Sequence, residues 1–400
     1  MEKENILPIS SRRSFLQLST AAVSAIALRI VTEPMLARAE LKTIPKDAVL
    51  INANENPLGP SASAREAVAS IAAQGGRYST ELTDELLNSF APMEGLKPDY
   101  VRAFPGSSEP LHYTVLSYTS PTRSFVTADP GYEAGGHAAK ITGARTVQVP
   151  LTKNYAHDVK AMLTAAPDAG VFYVCTPNNP TGTLTSHSEI EHLVERKPAR
   201  SIVLVDEAYI HFSSATSAVD LVRADRDVIV LRTFSKIYGM AGLRCGLAIG
   251  RPDLLAKIGK YSGWGAMPIT AVTAAAASLK EPQLVPERKK LNARIRGEVF
   301  DWLGRKGYAY IPSESNCFML ETKRPAKDVI AGMAAQNVFI GRAWPSLPTH
   351  VRVTVGTREE MDRFQAAFER VLTGAAMAWP KQHPWLSSRK IDGLTLPEDI

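Results

Sequence analysis

The chain has 400 residues, of which 45% are hydrophobic and 22% are charged, and its formal net charge is +6. This length allows a large core and two domains, and the composition is that of a globular protein. The Lys and Arg residues are scattered, without a run of five like charges, which argues against nucleic-acid binding. A basic balance of this kind suits an enzyme that gathers anionic small molecules.

The first 39 residues have the pattern of a targeting segment. Arg12 and Arg13 precede a charge-free stretch at 14–28, and Ala37-Arg38-Ala39 places small residues where a signal peptidase reads. The stretch is too short to span a membrane. The segment resembles a twin-arginine signal cut after Ala39, with Gln17 a departure from the usual lysine. It predicts a periplasmic or secreted protein of net charge +4; the alternative is an amphipathic N-terminal helix.

Short hydrophobic runs alternate with helical patterns through the middle of the chain. The runs at 125–127, 171–174, 202–205 and 228–231 are nearly continuous, as in strands buried on both faces of a mainly parallel sheet. Ligands bind beyond the carboxyl ends of such strands, so the residues that follow them are the first place to search for a site. Cys175, Cys245 and Cys317 lie in apolar, strand-like segments and are expected to be packed thiols.

The pattern changes after about residue 264, which indicates a smaller α+β domain. Leu291, Ile295, Val299 and Leu303 recur every fourth residue and predict an amphipathic helix that Gly307 terminates. Apolar and polar residues alternate at 351–355, as in a half-buried strand. The expected organisation is a signal at 1–39, an arm at 40–60, a large domain at 61–270, a small domain at 271–377 and a surface extension at 378–400.

Lys236 follows the last of the buried strands, beside the hydroxyls of Thr233 and Ser235. A lysine in such surroundings can form a Schiff base when its environment lowers its pKa. Together with Arg244, the two hydroxyls could donate hydrogen bonds to a phosphate group. For this motif alone, an ordinary surface loop is the alternative.

Asp206 ends another predicted buried strand, where a carboxylate is costly unless it is paired. A protonated pyridine nitrogen is a suitable partner, because the ion pair lets the ring accept electrons from a substrate carbanion. Tyr209, three residues on, could reach the phenolic oxygen of the same ring. The alternative, a metal-binding Asp-Glu pair of a nucleotide hydrolase, also requires a phosphate-binding loop that this sequence lacks.

Three further motifs carry residues suited to binding a ligand. The Pro- and Gly-containing turn at 176–182 fixes Asn179, and the small residues at 106–110 precede a helix start with Ser108 as its cap. Free N–H groups at a helix start bind anions, which suits a phosphate. Tyr132, in a turn at 129–132, could lie flat against a ring. Each motif alone is equally compatible with a simple turn or a core residue.

Taken together, these segments resemble the class I/II aminotransferases of pyridoxal-phosphate (PLP) fold type I, in particular the histidinol-phosphate aminotransferase-like branch. The resemblance covers nearly all of residues 50–375 and includes the arm sequence at 54–60 and the pair Arg77-Tyr78. It implies an α/β fold, a large domain with a mainly parallel sheet, a smaller α+β domain and a homodimer. The implied activity moves an amino group between an amino acid, or a similar amine, and a 2-oxo acid.

The resemblance also implies a role for each motif residue. Lys236 would hold PLP as a Schiff base and shuttle the proton, Asp206 would bind the pyridine nitrogen, and Tyr209 and Asn179 the phenolic oxygen. Tyr132 would stack on the ring. The phosphate would be bound by Ser107, Ser108, Thr233, Ser235, Arg244 and, from a partner chain, Tyr78.

On the substrate side, Arg352 would bind the α-carboxylate and Arg342 an anionic or polar group at the far end, and Asn316 would make another carboxylate or ring-side contact. The surroundings of Arg342 and the stretch at 263–268 differ from the histidinol-phosphate pattern, and export argues against histidine biosynthesis. The open alternatives are a PLP-dependent lyase, decarboxylase or cyclase on the same fold and a non-catalytic PLP-fold sensor.

Overall fold

The computed structural model describes residues 30–36, 44–262 and 266–374. The paired arginines at 12–13, the cleavage sequence at 37–39 and the extension at 378–400 lie outside the described residues. The helices, numbered in chain order, are α1 Glu33–Leu36, α2 Ala62–Ile71, α3 Glu81–Met93, α4 Ser108–Tyr118, α5 Ala134–Ile141, α6 Val159–Ala165, α7 His187–Arg196, α8 Val219–Arg223, α9 Pro252–Gly259, α10 Ile269–Leu279, α11 Leu284–Lys306, α12 Ala326–Ala334 and α13 Arg358–Thr373.

Seven strands form the central sheet, in the order β2-β8-β7-β6-β5-β3-β4. Strand β8 pairs antiparallel with both β2 and β7, and the other neighbours are parallel. The predicted mainly parallel sheet is therefore confirmed, with β8 as its exception. The strands are β2 Val101–Phe104, β3 Ser124–Asp129, β4 Thr146–Pro150, β5 Ala169–Cys175, β6 Ile202–Asp206, β7 Val228–Thr233 and β8 Gly246–Gly250.

Strands β5 and β6 end at the same level of the sheet, because their last residues are paired. Cys175, the last residue of β5, is paired with Asp206, the last residue of β6. Both strands are buried along their whole length, as their continuous hydrophobic runs predict. The turns that follow the two strands therefore emerge side by side at one edge of the sheet.

A second, smaller core is built on two small sheets, one of order β12-β10-β9 and one that pairs β1 with β11. Helices α11, α12 and α13 cover them. Helix α11 ends at Lys306 with Gly307 in the left-handed conformation at φ 73°, so the predicted termination is confirmed. The strands are β1 Val49–Ile51, β9 Tyr310–Ile311, β10 Cys317–Glu321, β11 Val338–Ile340 and β12 His350–Thr354.

The division between the two cores differs from the expected boundary at residue 270. Helix α10 packs against α2 and α3, and its Ala271, Val272, Ala274 and Ala275 belong to the larger core. Strand β1 lies within the expected arm, but Val49 and Ile51 belong to the smaller core. Helix α10 and strand β1 differ from the expected division for the same reason: each buries its apolar face against elements that are distant in sequence.

All three cysteines are free and buried, as packed thiols should be. Among the described residues, no helix combines the length and apolar character needed to cross a bilayer.

Candidate active site

A cavity of about 300 Å³ lies at the carboxyl ends of β5, β6 and β7. It is the position that the sheet topology favours for a ligand. The side chains that line it are mostly polar and include Thr32, Glu33, Ser107, Ser108, Tyr132, Asn179, Asp206, Tyr209, Thr233, Ser235, Lys236 and Arg244.

Asp206 is held at the floor of the cavity by two hydrogen bonds. Tyr173 on β5 donates its hydroxyl hydrogen to Oδ2 at 2.9 Å, and the backbone N–H of Ala208 donates to Oδ1 at 3.1 Å. Burial raises the pKa of Asp206 to about 6, although the Tyr173 hydrogen bond opposes this shift. A buried carboxylate of this kind requires a cationic partner at neutral pH.

Lys236 reaches the cavity from the loop after β7. Its ammonium group donates to the carbonyl of Ala53 at 3.2 Å and lies 5.6 Å from the centre of the Tyr209 ring. Burial lowers the pKa of Lys236, although the carboxylate of Glu33 opposes this shift. Lowering the pKa increases the share of the neutral amine, which is the form that attacks a carbonyl carbon.

Tyr209 also lines the cavity, and its hydroxyl oxygen accepts a hydrogen bond from the side-chain amide of Asn54 at 3.0 Å. That contact uses the oxygen as an acceptor and leaves the hydroxyl hydrogen for another partner. Tyr132 is also buried at the cavity wall. Asn179 donates from Nδ2 to Glu33 and accepts at Oδ1 from Arg352.

Hydroxyl and guanidinium donors converge at one end of the cavity, where helix α4 begins. Ser107 precedes the helix, so the cap lies one residue before the predicted Ser108, and no side-chain cap bond is made. Arg244 lies beside Ser235, with Nη1 to Oγ at 3.4 Å. Gly106 adopts φ +89°, and a Cβ there would come within 2.1 Å of Arg244 Nη2. This close approach brings Arg244 against the helix start.

These donors fit the phosphate and ring of PLP. The helix start, the hydroxyls and Arg244 supply hydrogen-bond donors and positive potential for an anion. Asp206 supplies the buried anion for a protonated ring nitrogen, and Lys236 supplies the amine. In the part of the chain that the structure describes, no three His, Cys, Asp or Glu residues are grouped to hold a metal ion.

A second cluster of charge lies beside the cavity. Arg352, on β12, is completely buried, and its Nη2 donates to the carboxylate of Glu33 at 2.6 Å. Arg342 makes a longer ion pair with the same carboxylate, at 3.5 Å, and a close one with Glu133. Trp344 lies over both guanidinium groups, at 4.4 Å from Arg342 and 5.4 Å from Arg352. One carboxylate therefore contacts two arginines.

The structure brings most of the predicted site residues together. Of the fourteen residues expected to contact cofactor or substrate, ten line the cavity, and Arg342 and Arg352 lie beside it as partners of Glu33. The two exceptions are Asn316 and Tyr78. Asn316 donates to the carbonyls of Asn54 and Glu55 and so supports the arm. Tyr78 is 69% exposed, outside the cavity of its own chain.

Sequence reasoning missed three residues of the site: Tyr173, Glu133 and Glu33. Tyr173 has a polar group within a hydrophobic strand, and its position two residues before the end of β5 is the signal that could have revealed it. Glu133 directly follows Tyr132, yet its ion pair with Arg342 spans 209 positions. Glu33 lies within the predicted targeting segment, where no site residue is expected.

Comparisons with known proteins agree with this geometry. The family model for aminotransferase class I and II matches residues 46–368. A histidinol-phosphate aminotransferase of Symbiobacterium thermophilum is 34% identical over 331 residues, covering 82% of this chain and 91% of the relative. An aromatic amino acid aminotransferase of Cutibacterium acnes is 33% identical over 333 residues, covering 82% and 94%.

The fold comparison gives the same result. The histidinol-phosphate aminotransferase of Sinorhizobium meliloti, solved in complex with pyridoxal-5'-phosphate, has a TM-score of 0.78 at 24% identity, covering 88% of this chain and 96% of that one. A structure from Erwinia carotovora atroseptica has a TM-score of 0.80 at 31% identity, covering 84% and 100%. The chain belongs to the class I and II aminotransferases, and it is a PLP-dependent enzyme of fold type I.

Proposed function

We propose that this aminotransferase acts on α-amino acids and 2-oxo acids, with Lys236 as the residue that binds the cofactor and moves the proton. The observation that carries the proposal is the cavity that joins Lys236, Asp206 and the phosphate-type donors. When bound, PLP supplies an electron-accepting ring that stabilises negative charge at the substrate Cα. The protein supplies binding, orientation and proton transfer.

Lys236 is suited to act first as a nucleophile and then as a base. Its burial favours the neutral amine, and the carbonyl of Ala53 orients Nζ at 3.2 Å. The free amine of Lys236 would be placed to accept the proton from the substrate Cα and to hold it for return. Because Lys236 is buried, bulk water has little access to its amine. This limits exchange of the proton with solvent during the transfer.

Asp206 would pair with the ring nitrogen of bound PLP and favour its protonated form. Because Asp206 is buried, a nearby cation is needed to stabilise its negative charge. Binding of the protonated ring and ionisation of Asp206 should therefore favour each other. Tyr209 and Asn179 would direct hydrogen bonds at the phenolic oxygen. Ser107, Ser108, Thr233, Ser235 and Arg244 would bind the phosphate.

Arg352 and Asn179 form the proposed site for the substrate α-carboxylate. The support is the carboxylate of Glu33, which these two side chains already bind at 2.6 and 3.2 Å. Arg342 contacts the same carboxylate, although we expected it to bind a separate, distal group. The charge of Arg342 is balanced by Glu133, so Trp344 and the Arg342–Glu133 pair offer a polar but nearly neutral wall to a substrate side chain.

Borohydride reduction tests the assignment of Lys236. Reduction of the enzyme loaded with PLP should leave a pyridoxyl group on the peptide that contains Lys236, and the Lys236→Ala variant should lose this label. A label on any other lysine would overturn the assignment.

An amino-donor screen tests the reaction and the substrate class. Phenylalanine, tyrosine, glutamate, alanine and histidinol phosphate would each be added to purified enzyme, with loss of the cofactor's absorbance as the readout. We expect α-amino acids to convert the cofactor to its amine form stoichiometrically. A response to histidinol phosphate alone would contradict the proposed α-carboxylate requirement.

A further inference from the structure

The carboxylate of Glu33 lies where a substrate carboxylate is expected. Its Oε1 accepts from Arg352 Nη2 at 2.6 Å, and its Oε2 accepts from Asn179 Nδ2 at 3.2 Å. Burial by itself would raise the pKa of Glu33, but Arg352, Arg342 and Lys236 outweigh it and hold the pKa below its usual range. The side chain is therefore an anion at neutral pH.

The backbone around Glu33 is also anchored in the large domain. The N–H of Val31 donates to Nε2 of His112, at 3.0 Å. Burial lowers the pKa of His112, and its Nδ1 faces the carbonyl of Ser108 at 2.8 Å, so the neutral ring donates from Nδ1 and accepts at Nε2. His112 belongs to α4, the helix that begins at the phosphate end of the cavity.

Apolar contacts also hold residues 30–36 in place. Ile30, Val31 and Leu36 pack against the larger core, and the carbonyl of Thr32 accepts hydrogen bonds from Met35 and Leu36 to close one helical turn. Thr32 and Glu33 line the cavity itself. The position of Glu33 thus depends on several contacts in addition to its ion pairs.

Occupation of the site by Glu33 excludes a substrate carboxylate. Arg352 has no exposed surface, and its Nη1 and Nη2 are already engaged by Asn179, Glu33 and the carbonyl of Asn52. A second carboxylate at Arg352 would have to displace the first. Because the segment belongs to the same chain, it competes at a high effective concentration.

We propose that residues 30–36 are an intramolecular ligand of the active site, with Glu33 in the place of the substrate carboxylate, and that cutting the chain behind this segment opens the site. The inference rests on the proposed role of Arg352. The uncut chain should have a low affinity for amino acids, because a substrate must first displace Glu33. The expected cleavage after Ala39 would convert the tethered segment into a free peptide that can diffuse away.

The test uses the full-length enzyme loaded with PLP, carrying a site-specific protease sequence within residues 37–43. The probe is 3-phenylpropanoate, a carboxylate without an amino group, and its Kd is measured by calorimetry before and after cutting. A hydrogen bond to a charged group contributes ~1.5–3 kcal/mol, so cutting should tighten binding roughly 10–150-fold. In the uncut enzyme, Glu33→Gln should give most of the same gain.

Met35→Ala is the matched control, because Met35 lies in the same helical turn but is exposed. This variant should bind the probe like the uncut wild type. Hydrogen exchange supplies a second readout: saturating 3-phenylpropanoate should release protection at the amides of Met35 and Leu36 in the uncut enzyme. Equal Kd values for uncut wild type, uncut Glu33→Gln and cut wild type would overturn the proposal.

Failure of this inference can be distinguished from failure of the proposed function. If the cut enzyme binds the probe tightly but converts no amino donor, the proposed reaction fails and the intramolecular ligand stands. If the uncut and cut enzymes convert donors with the same KM, the intramolecular ligand fails and the proposed reaction stands.

Discussion

The hydroxyl of Tyr173 donates a hydrogen bond to Oδ2 of Asp206, 2.9 Å away, across adjacent parallel strands. This bond stabilises the ionised carboxylate and opposes the effect of burial on its pKa. Tyr173 is therefore a positioning residue that acts through Asp206. It fixes both the direction and the ionisation of the group expected to pair with the ring nitrogen.

Tyr173→Phe should accordingly raise the pKa of Asp206 and weaken its pairing with the cofactor. A hydrogen bond to a charged group is worth ~1.5–3 kcal/mol, so the acid limb of the kcat/KM profile should move up by roughly 1–2 pH units. Tyr118→Phe is the control, since its buried hydroxyl has no hydrogen-bond partner among the residues that the structure describes. An unshifted pH profile for Tyr173→Phe would argue that the bond supports only the strand.

The two arginines should differ in their contribution to catalysis. Arg352→Ala should lower kcat/KM about equally for every α-amino acid, by ~10–150-fold, because all of them carry the α-carboxylate. For short aliphatic donors, Arg342→Ala should lower kcat/KM less than Arg352→Ala does, since Glu133 already neutralises the charge of Arg342. Steady-state kinetics with alanine and glutamate on the enzyme cut behind residue 39 would measure both effects. A larger loss from Arg342→Ala than from Arg352→Ala would reverse the assignment of the carboxylate site.

Asp206 should make the cofactor-free protein less stable as pH rises. Its pKa in the folded state is about 6 against an ordinary value of 3.8, so its favourable contribution is complete below pH 4 and is lost as pH rises through 6. The difference corresponds to about 3 kcal/mol. We expect the stability of wild type relative to Asp206→Asn to fall by this amount between pH 4 and 7 in urea unfolding.

The same comparison with PLP bound is the control. The ring nitrogen then supplies the missing cation, so the fall should be much smaller. A pH-independent difference between wild type and Asp206→Asn without cofactor would show that the carboxylate is ionised throughout.

Tyr78 is expected to complete the phosphate site of a partner subunit, which fits its 69% exposure in the single chain. Lys236→Ala and Tyr78→Ala homodimers should each have low activity. Mixed after mild denaturation and refolding, the two variants should recover activity, because one site of each heterodimer has both side chains intact. Sedimentation should give twice the chain mass. Absence of recovery in a verified heterodimer would place Tyr78 in its own subunit's site or in none.

The paired arginines are expected to direct export of the folded protein. Replacing both Arg12 and Arg13 with Lys should retain the uncut chain in the cytoplasm, as measured by cell fractionation and immunoblotting. A single Lys3→Arg change, which leaves the pair intact, is the control. Unchanged export of the double variant would contradict a twin-arginine signal.

The sequence by itself determined the chemistry and its place in the chain. Hydrophobic runs located strands β3, β5, β6 and β7, because a strand buried on both faces needs apolar residues throughout. Polar residues at the ends of those runs then identified Asp206, Asn179 and Lys236. Parallel strands bring their ends to one edge of a sheet, so these short-range patterns predict a shared site.

Only the tertiary structure decided which side chains are paired within that site. Glu33 and Arg352 are 319 positions apart, and Glu133 and Arg342 are 209 apart. No local periodicity or turn preference reports such a contact, because it depends on how the smaller core packs against the larger one. The competition between Glu33 and a substrate carboxylate is a property of this packing, and the composition of the N-terminal segment gave no sign of it.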